Sequence, residues 1–282
     1  MKIVRTIAET RAAVAALRSP GRSLGLVPTM GALHEGHLSL VRAAQSACDA
    51  VAVTLFVNPT QFAPNEDFSK YPRTFEADCR LLEAENAHLL FAPDTAEMYP
   101  PGATTWVEVE QIQDRLDGQS RPGHFRGVST VVAKLFHIFA PDKAFFGQKD
   151  AAQVAILRRM VRDLHFDLEL IVCPIVRESD GLAMSSRNRY LSPDDRRHAL
   201  ALSRALRAVE AQVRAGEREA APLIETGLRI LAEEPSVRVD YLRIVDPDTL
   251  EDRQHLHDGA LVAVAAFVGP ARLIDNLLLP PL

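Results

Sequence analysis

Between Leu24 and Val57 the chain sets out a short apolar run, a helical period and a second apolar run, and that grammar leaves few folds open. Leu24 to Val27 reads as a strand. Leu38, Val41, Ala44 and Ala47 or Cys48 then recur at helical spacing, and Asp49 closes the segment. Val51 to Val57 is a β-rich apolar run of the kind buried on both faces of a sheet. Strand, helix, strand at this spacing is a βαβ unit, and parallel neighbours need such a crossover. The alternation continues with a helix over 75–87, a strand over 89–92 and a Pro/Gly-punctuated loop over 93–103. Val128, Val131, Val132 and Leu135 mark the next helix, Ala144 to Phe146 a strand ending at Gly147, and Val154, Leu157, Val161 and Leu164 a further helix. Leu168 to Cys173 is a strand stopped by Pro174. An amphipathic helix over 6–18, entered directly from Met1 and ended by Ser19-Pro20-Gly21, precedes all of this. The expectation for residues 1–175 is a Rossmann-like, doubly wound parallel sheet.

Beyond residue 176 the pattern changes. Ser192-Pro193-Asp194-Asp195 offers an N-cap, a proline at the first helical position and acids in the first turn, opening a helix that reaches about Arg214. A helix over 222–234 and strands over 237–245, 260–267 and 271–278 follow, the last two joined at Gly269-Pro270 as a hairpin. A smaller α+β domain is expected over 176–282.

Bulk properties narrow the function classes. With 282 residues and 47% hydrophobic composition the chain can fill sizeable cores. Its 32 Lys and Arg against 37 Asp and Glu, a net charge of −5 without basic or acidic blocks, disfavour nucleic acid and membrane surfaces as partners. The first residues lack the apolar stretch of a signal peptide, and no apolar run approaches the ~18 residues of a membrane span. Cys48, Cys79 and Cys173 are odd in number and far apart, unlike a disulfide framework or a zinc cluster. A cytoplasmic setting is expected.

Chemistry concentrates in Pro28-Thr29-Met30-Gly31-Ala32-Leu33-His34-Glu35-Gly36-His37. Gly31 and Gly36 have P-loop spacing, but His37-Leu38 stands where Lys-Ser/Thr belongs, and no Gly-x-Gly-x-x-Gly follows a strand. The two histidines are three apart, not four as in a zincin helix, so no metal ligand set is assigned. What remains is a pair of imidazoles on the first turn of a helix, beside backbone N–H groups and the positive end of the helix dipole. The turn reads either as an anion site or as a capping turn with ordinary glycines. Gly147-Gln148-Lys149-Asp150 repeats the arrangement at another strand end, with Lys149 as a phosphate contact or a solvated lysine before a capping Asp150. Met184-Ser185-Ser186-Arg187 gathers hydroxyls and a guanidinium suited to phosphate oxygens, or else is a capping linker. Asn58-Pro59-Thr60-Gln61 sits at the carboxyl end of a strand, where Gln61 can meet a small polar substrate or Asn58 can hold a turn.

Together with Phe56 to Phe62, Lys70-Tyr71-Pro72-Arg73-Thr74, Arg121 to Val128 and Asp180 to Asn188, these segments closely resemble the pantothenate synthetase family, ATP-dependent ligases joining pantoate to β-alanine. The resemblance spans most of 25–190, and its wider setting is the HIGH-motif nucleotidyltransferase superfamily. It implies ATP as a substrate, bound by Met30, Gly31, Ala32, Leu33, His34, Glu35, Gly36 and His37, by Gly147, Gln148, Lys149 and Asp150, by Val176, and by Met184, Ser185, Ser186 and Arg187. It implies catalytic roles for His37, His34, Lys149, Ser185 and Arg187, and a pantoate and β-alanine site at Gln61, Gln153 and Asn58. Mg2+ carried on the ATP phosphates, a homodimer and a lid role for the smaller domain are further implications. Ala151-Ala152 departs from the family pattern, which has an aromatic and a glutamine there.

Overall fold

Strands with apolar residues on both faces need covering on both faces, and here they assemble into one six-stranded parallel sheet. The computed structural model describes residues 1–18, 21–63, 68, 69 and 71–281. The expected helix stop at Ser19-Pro20 and the Lys70 of the Tyr71 segment lie outside the described residues. In chain order the elements are β1 (Lys2–Val4), α1 (Ile7–Leu17), β2 (Leu24–Thr29), α2 (Glu35–Ala47), β3 (Ala50–Leu55), α3 (Phe75–Ala84), β4 (Leu89–Phe91), and the single-turn helices α4 (Thr95–Met98) and α5 (Asp117–Ser120). Then come α6 (His124–Phe139), β5 (Lys143–Gly147), α7 (Ala151–Asp163), β6 (Glu169–Cys173), α8 (Pro193–Arg214), α9 (Ala220–Ala232), β7 (Val237–Val245), β8 (Ala260–Val268) and β9 (Ala271–Leu279).

The chain forms two compact units. The first comprises 1–114, 121–147 and 156–173 and holds the parallel sheet, in the order β1-β4-β3-β2-β5-β6. From β2 the chain steps outward through β3 to β4, then returns to the other side of β2 for β5 and β6. The direction of winding therefore reverses between β2 and β5, and the carboxyl ends of those strands flank the crevice where such sheets bind ligands. Helix α2 packs on β2, β3 and β5, with Leu40, Val41 and Ala44 buried against Val27, Val51 and Val53. Met1–Ile7 does not run straight into a helix: Lys2–Val4 pairs in parallel with β4, and a capping box of Thr6 and Glu9 starts α1 only afterwards. Three residues are too few for a readable period, so the edge strand is invisible before its partner is known. The loop over 93–103 likewise contains the short α4.

The second unit comprises 115–120, 148–155 and 174–282. Its core is the antiparallel sheet β7-β8-β9, packed under α8 and α9. Central β8 is buried along nearly its whole length. Ser192 caps α8 by accepting from the Asp195 N–H at 3.1 Å, with Pro193 in the first turn. The parallel sheet with flanking helices and the smaller antiparallel sheet are those that the alternation predicts. The short pieces 115–120 and 148–155, which sit inside the first unit's span of sequence, pack with the second.

Candidate active site

At the end of β2 the chain must turn sharply into α2, and the backbone pays for it locally. Thr29 Oγ1 donates to the Thr54 carbonyl (2.7 Å) and accepts from the Gly31 N–H (3.2 Å). Gly31 and Ala32 then take φ of +85° and +51° in succession, the left-handed region that glycine enters freely and alanine at a cost of about 1 kcal/mol. The Ala32 and Leu33 N–H groups, which the sequence offers to an anion, donate instead to the two carboxylate oxygens of Asp78 at 3.0 and 2.8 Å.

His34 is the N-cap of α2, and its Nδ1 accepts from the Gly36 N–H (3.2 Å). His37 returns the bond: its Nδ1 accepts from the His34 N–H (3.4 Å), an imidazole version of the capping box. A neutral imidazole that accepts at Nδ1 carries its proton on Nε2. Both rings are thus held as the Nε2–H tautomer, with centroids 4.1 Å apart. Capping and anion binding were alternatives in the sequence. The capping is present: each ring takes part in it through Nδ1.

Past β3, Asn58 opens a 3-10 turn over Pro59–Gln61. Its side chain, 1% exposed, works entirely inward: Oδ1 accepts from the Thr60 N–H and hydroxyl, and Nδ2 donates to the Gly127 carbonyl and to Gln61 Oε1, both at 3.1 Å. Asn58, which the family resemblance places at the pantoate and β-alanine site, holds the turn and frames Gln61. Gln61 Nε2 in turn donates to Met30 Sδ at 3.2 Å, which brings the β3 end to the β2 end. The Gln61 carbonyl accepts from His124 Nδ1 (2.8 Å) and from Arg121 (3.4 Å). Gly127 lets α6 approach so closely that a Cβ there would lie 2.4 Å from the Thr60 carbonyl oxygen. Behind the turn, Thr60 shares a hydrogen bond of 3.2 Å with Tyr99, whose hydroxyl is pushed up by burial. Lys134 donates to the Met98 carbonyl under the Tyr99 ring, and burial pulls its ammonium down. Arg121, His124 and Gly127 belong to a segment that the family resemblance marks, but no local signal in the sequence gives them this task.

A cavity of about 430 Å³ opens in the first unit beside Met30 and Gly31, where Arg5, Val57, Arg73 and Asp94 also line it. Among the described residues no group of three or more His, Cys, Asp or Glu is placed to hold a metal ion.

In the second unit the segment after Gly147 is held by β9. Asn276, 4% exposed, donates through Nδ2 to the carbonyls of Gln148 and Lys149, both at 2.9 Å, and accepts from Gln148 Nε2 at 3.0 Å. Lys149 is half-buried, Asp150 is exposed within the same 3-10 turn, and Gln153 follows in the first turn of α7. The Met184 N–H donates to the Val176 carbonyl (2.9 Å), so these two predicted residues are neighbours across a narrow hairpin. Arg177 grips Asp275 of β9 through two nitrogens at 2.6 and 3.0 Å. Ser185 caps the 3-10 helix Ser186–Tyr190 by accepting from the Arg187 N–H. Met30, Gly31, His34, His37, Gln61 and Gly147 therefore belong to the first unit, and Lys149, Gln153, Val176 and Met184 to Arg187 to the second.

A model of the family described as pantoate-beta-alanine ligase matches residues 2–278. Pantothenate synthetase of Acidobacterium capsulatum is 67% identical, over 99% of this chain and 97% of its own length, and that of Koribacter versatilis is 58% identical over 99% and 96%. Among solved structures, pantothenate synthetase of Thermus thermophilus superposes with a TM-score of 0.94 at 47% identity, covering 100% of both chains. Pantoate-beta-alanine ligase of Francisella tularensis, solved in complex with beta-gamma ATP and beta-alanine, superposes with a TM-score of 0.81 at 32% identity, covering 99% of this chain and 97% of its own.

Proposed function

The chain belongs to the pantoate-beta-alanine ligase family, and we propose that it condenses (R)-pantoate with β-alanine to pantothenate, driven by ATP through a pantoyl adenylate. The observation that carries the reading is the corner at the head of α2, where Met30, which accepts from Gln61, leads within a few residues of chain to two imidazoles of fixed tautomer. The Francisella relative, solved in complex with beta-gamma ATP and beta-alanine, supports it.

In the first step the pantoate carboxylate attacks the α-phosphorus of ATP and pyrophosphate leaves. In the second, the β-alanine amine attacks the acyl carbon, loses a proton, and AMP leaves with the bonding pair. Charge gathers on phosphate oxygens in both steps, so the chain's contribution is prepositioned donors and cations rather than a nucleophile. In the first unit the Nε2–H groups of His34 and His37 are the donors, and Gln61, held by Asn58 and His124, orients pantoate. In the second, Lys149, Ser185, Ser186 and Arg187 supply cations and hydroxyls, and Gln153 a further pantoate contact. Mg2+ would arrive with ATP and would neutralise charge on its phosphates. The family resemblance supports a homodimer. The three cysteines, odd in number and far apart in sequence, support a reduced, cytoplasmic setting, and no described helix is long and apolar enough to cross a membrane.

The test is to incubate the enzyme with ATP, pantoate and β-alanine and follow AMP and pyrophosphate separately. Sustained AMP release requires both other substrates, while ATP and pantoate alone give a pyrophosphate burst matching the enzyme concentration. AMP release indifferent to pantoate or β-alanine refutes the assignment. His37→Ala lowers turnover roughly 10²-fold, the scale of a lost transition-state contact; near-normal turnover removes His37 from the reaction.

A further inference from the structure

Asp78 is a carboxylate 2% exposed on the first turns of α3, and nothing in the reaction just described uses it. Buried carboxylates are costly unless their lone pairs are matched, and this one is matched in a particular direction. Oδ2 accepts from the Ala32 N–H at 3.0 Å and Oδ1 from the Leu33 N–H at 2.8 Å, so one carboxylate spans two consecutive backbone donors. The Thr74 hydroxyl donates to Oδ1 at 3.1 Å and fixes the carboxylate from behind. Oδ2 also lies where a side chain on Gly31 would begin, 3.1 Å from an ideal Cβ. The carboxylate is thus seated on the bare face of the glycine whose φ of +85° starts the turn, and it ties down the alanine held at +51°.

That turn leads directly to the histidine pair. Leu33 precedes His34, and the His34 ring orientation and tautomer depend on a start of α2 at which the Gly36 and His34 N–H groups reach the two Nδ1 atoms. These bonds, at 3.2 and 3.4 Å, already sit at or past the long end of the usual range for N–H donors, so a small displacement of the helix start breaks them. An Ala32 free to leave the left-handed region would relax by about 1 kcal/mol and carry the helix start with it.

We propose that Asp78 is a positioning residue for the reaction: by clamping the Ala32 and Leu33 N–H groups it fixes the strand-to-helix turn that holds His34 and His37 as Nε2–H tautomers. The proposal rests on the reading that these histidines serve adenylation, and the experiment separates the two. Asp78→Asn keeps the size and one acceptor, but turns an amide NH2 toward a backbone donor. Histidine 15N chemical shifts of the full-length protein report the tautomers without reference to activity. In the unaltered enzyme both rings give the Nε2–H pattern. In D78N a mixture of tautomers is expected, with kcat lower by roughly 10- to 100-fold, as for a displacement approaching 1 Å, and KM for ATP within about threefold. A folded D78N with both tautomers unchanged overturns the proposal, whatever its kcat. Altered tautomers with unchanged kcat overturn the role in the reaction and, with it, the reading of the histidines. If D78N does not fold, Thr74→Val removes only the hydroxyl behind Oδ1. A tautomer shift with a several-fold lower kcat supports the proposal there, and unaltered shifts refute it.

Discussion

Gly127→Ala sets sterics against helix propensity in a way that separates folding from turnover. A methyl at Gly127 would sit 2.4 Å from the Thr60 carbonyl oxygen, 2.6 Å from its carbon and 2.7 Å from the Gln61 nitrogen, all backbone atoms that cannot rotate away. Ordinary contact begins near 3.4 Å, so the turn over 58–61 has to retreat from α6 by about 1 Å. The retreat also stretches the bond from Asn58 to the Gly127 carbonyl. Overpacking of this kind costs about 1–3 kcal/mol, but replacing a helical glycine returns about 1 kcal/mol. The net loss of stability is about 0–2 kcal/mol, a few degrees in Tm for a chain of this size. With the pantoate role proposed for Gln61, turnover has no such offset, because Gln61 moves with the turn, and a displacement of about 1 Å costs on the order of 10²-fold. The assay is pyrophosphate release at varied pantoate, with thermal unfolding in parallel. The expected result is kcat/KM for pantoate down by about two orders of magnitude, KM for ATP little changed, and a folded protein. A G127A enzyme within threefold of the original in kcat/KM for pantoate refutes the framing role given to Asn58, Gln61 and Gly127.

Asn276 offers a parallel test in the second unit. Asn276→Ala deletes the donations to the Gln148 and Lys149 carbonyls, costs about 1–3 kcal/mol, and raises KM for ATP several-fold; Asn276→Asp, which turns a carboxylate onto two carbonyl oxygens, does worse in both readouts. An N276D protein as stable as N276A contradicts this reading of the contact. Asp246 sets part of the acid limit of stability. Burial pushes its carboxyl up, but the Thr249 and Asp248 N–H groups and Arg253 outweigh that and hold it below the ordinary aspartate value of 3.8. A depressed carboxyl contributes stability above its unfolded pKa and loses it as the pH falls through the folded one, so the contribution fades below about pH 4. Asp246→Asn should lower Tm at neutral pH and converge on the original protein in strong acid. A Tm difference that stays constant down to low pH contradicts the assignment.

How much of this was legible along the chain follows from the range of each interaction. Val51 to Val57 announces a doubly buried strand by its residues alone, and Ser192-Pro193 announces α8, because hydrophobic period and capping are settled within a turn or two of chain. The strand-to-helix corner with its paired histidines was legible for the same reason. The His34–His37 capping box closes over three residues, although the chain alone could not say whether the rings cap or bind. Lys2–Val4 leaves no such local signal, since a three-residue strand exists only through its register with β4.

The fold class and the family were thus fixed by contiguous patterns, while the working geometry was settled by partners that no pattern connects. Asp78 reaches Ala32 across 46 residues, Asn58 reaches Gly127 across 69, and Asn276 reaches Lys149 across 127. Each is a short polar side chain that alone reads as a solvated surface residue or a turn former. Only when the folded backbone brings unmet N–H and carbonyl groups to it, out of water, does its hydrogen bonding become worth more than its hydration. That is why Asn58 faces inward to hold its turn, and why the carboxylate that shapes the histidine turn comes from a helix the sequence gives no reason to consult.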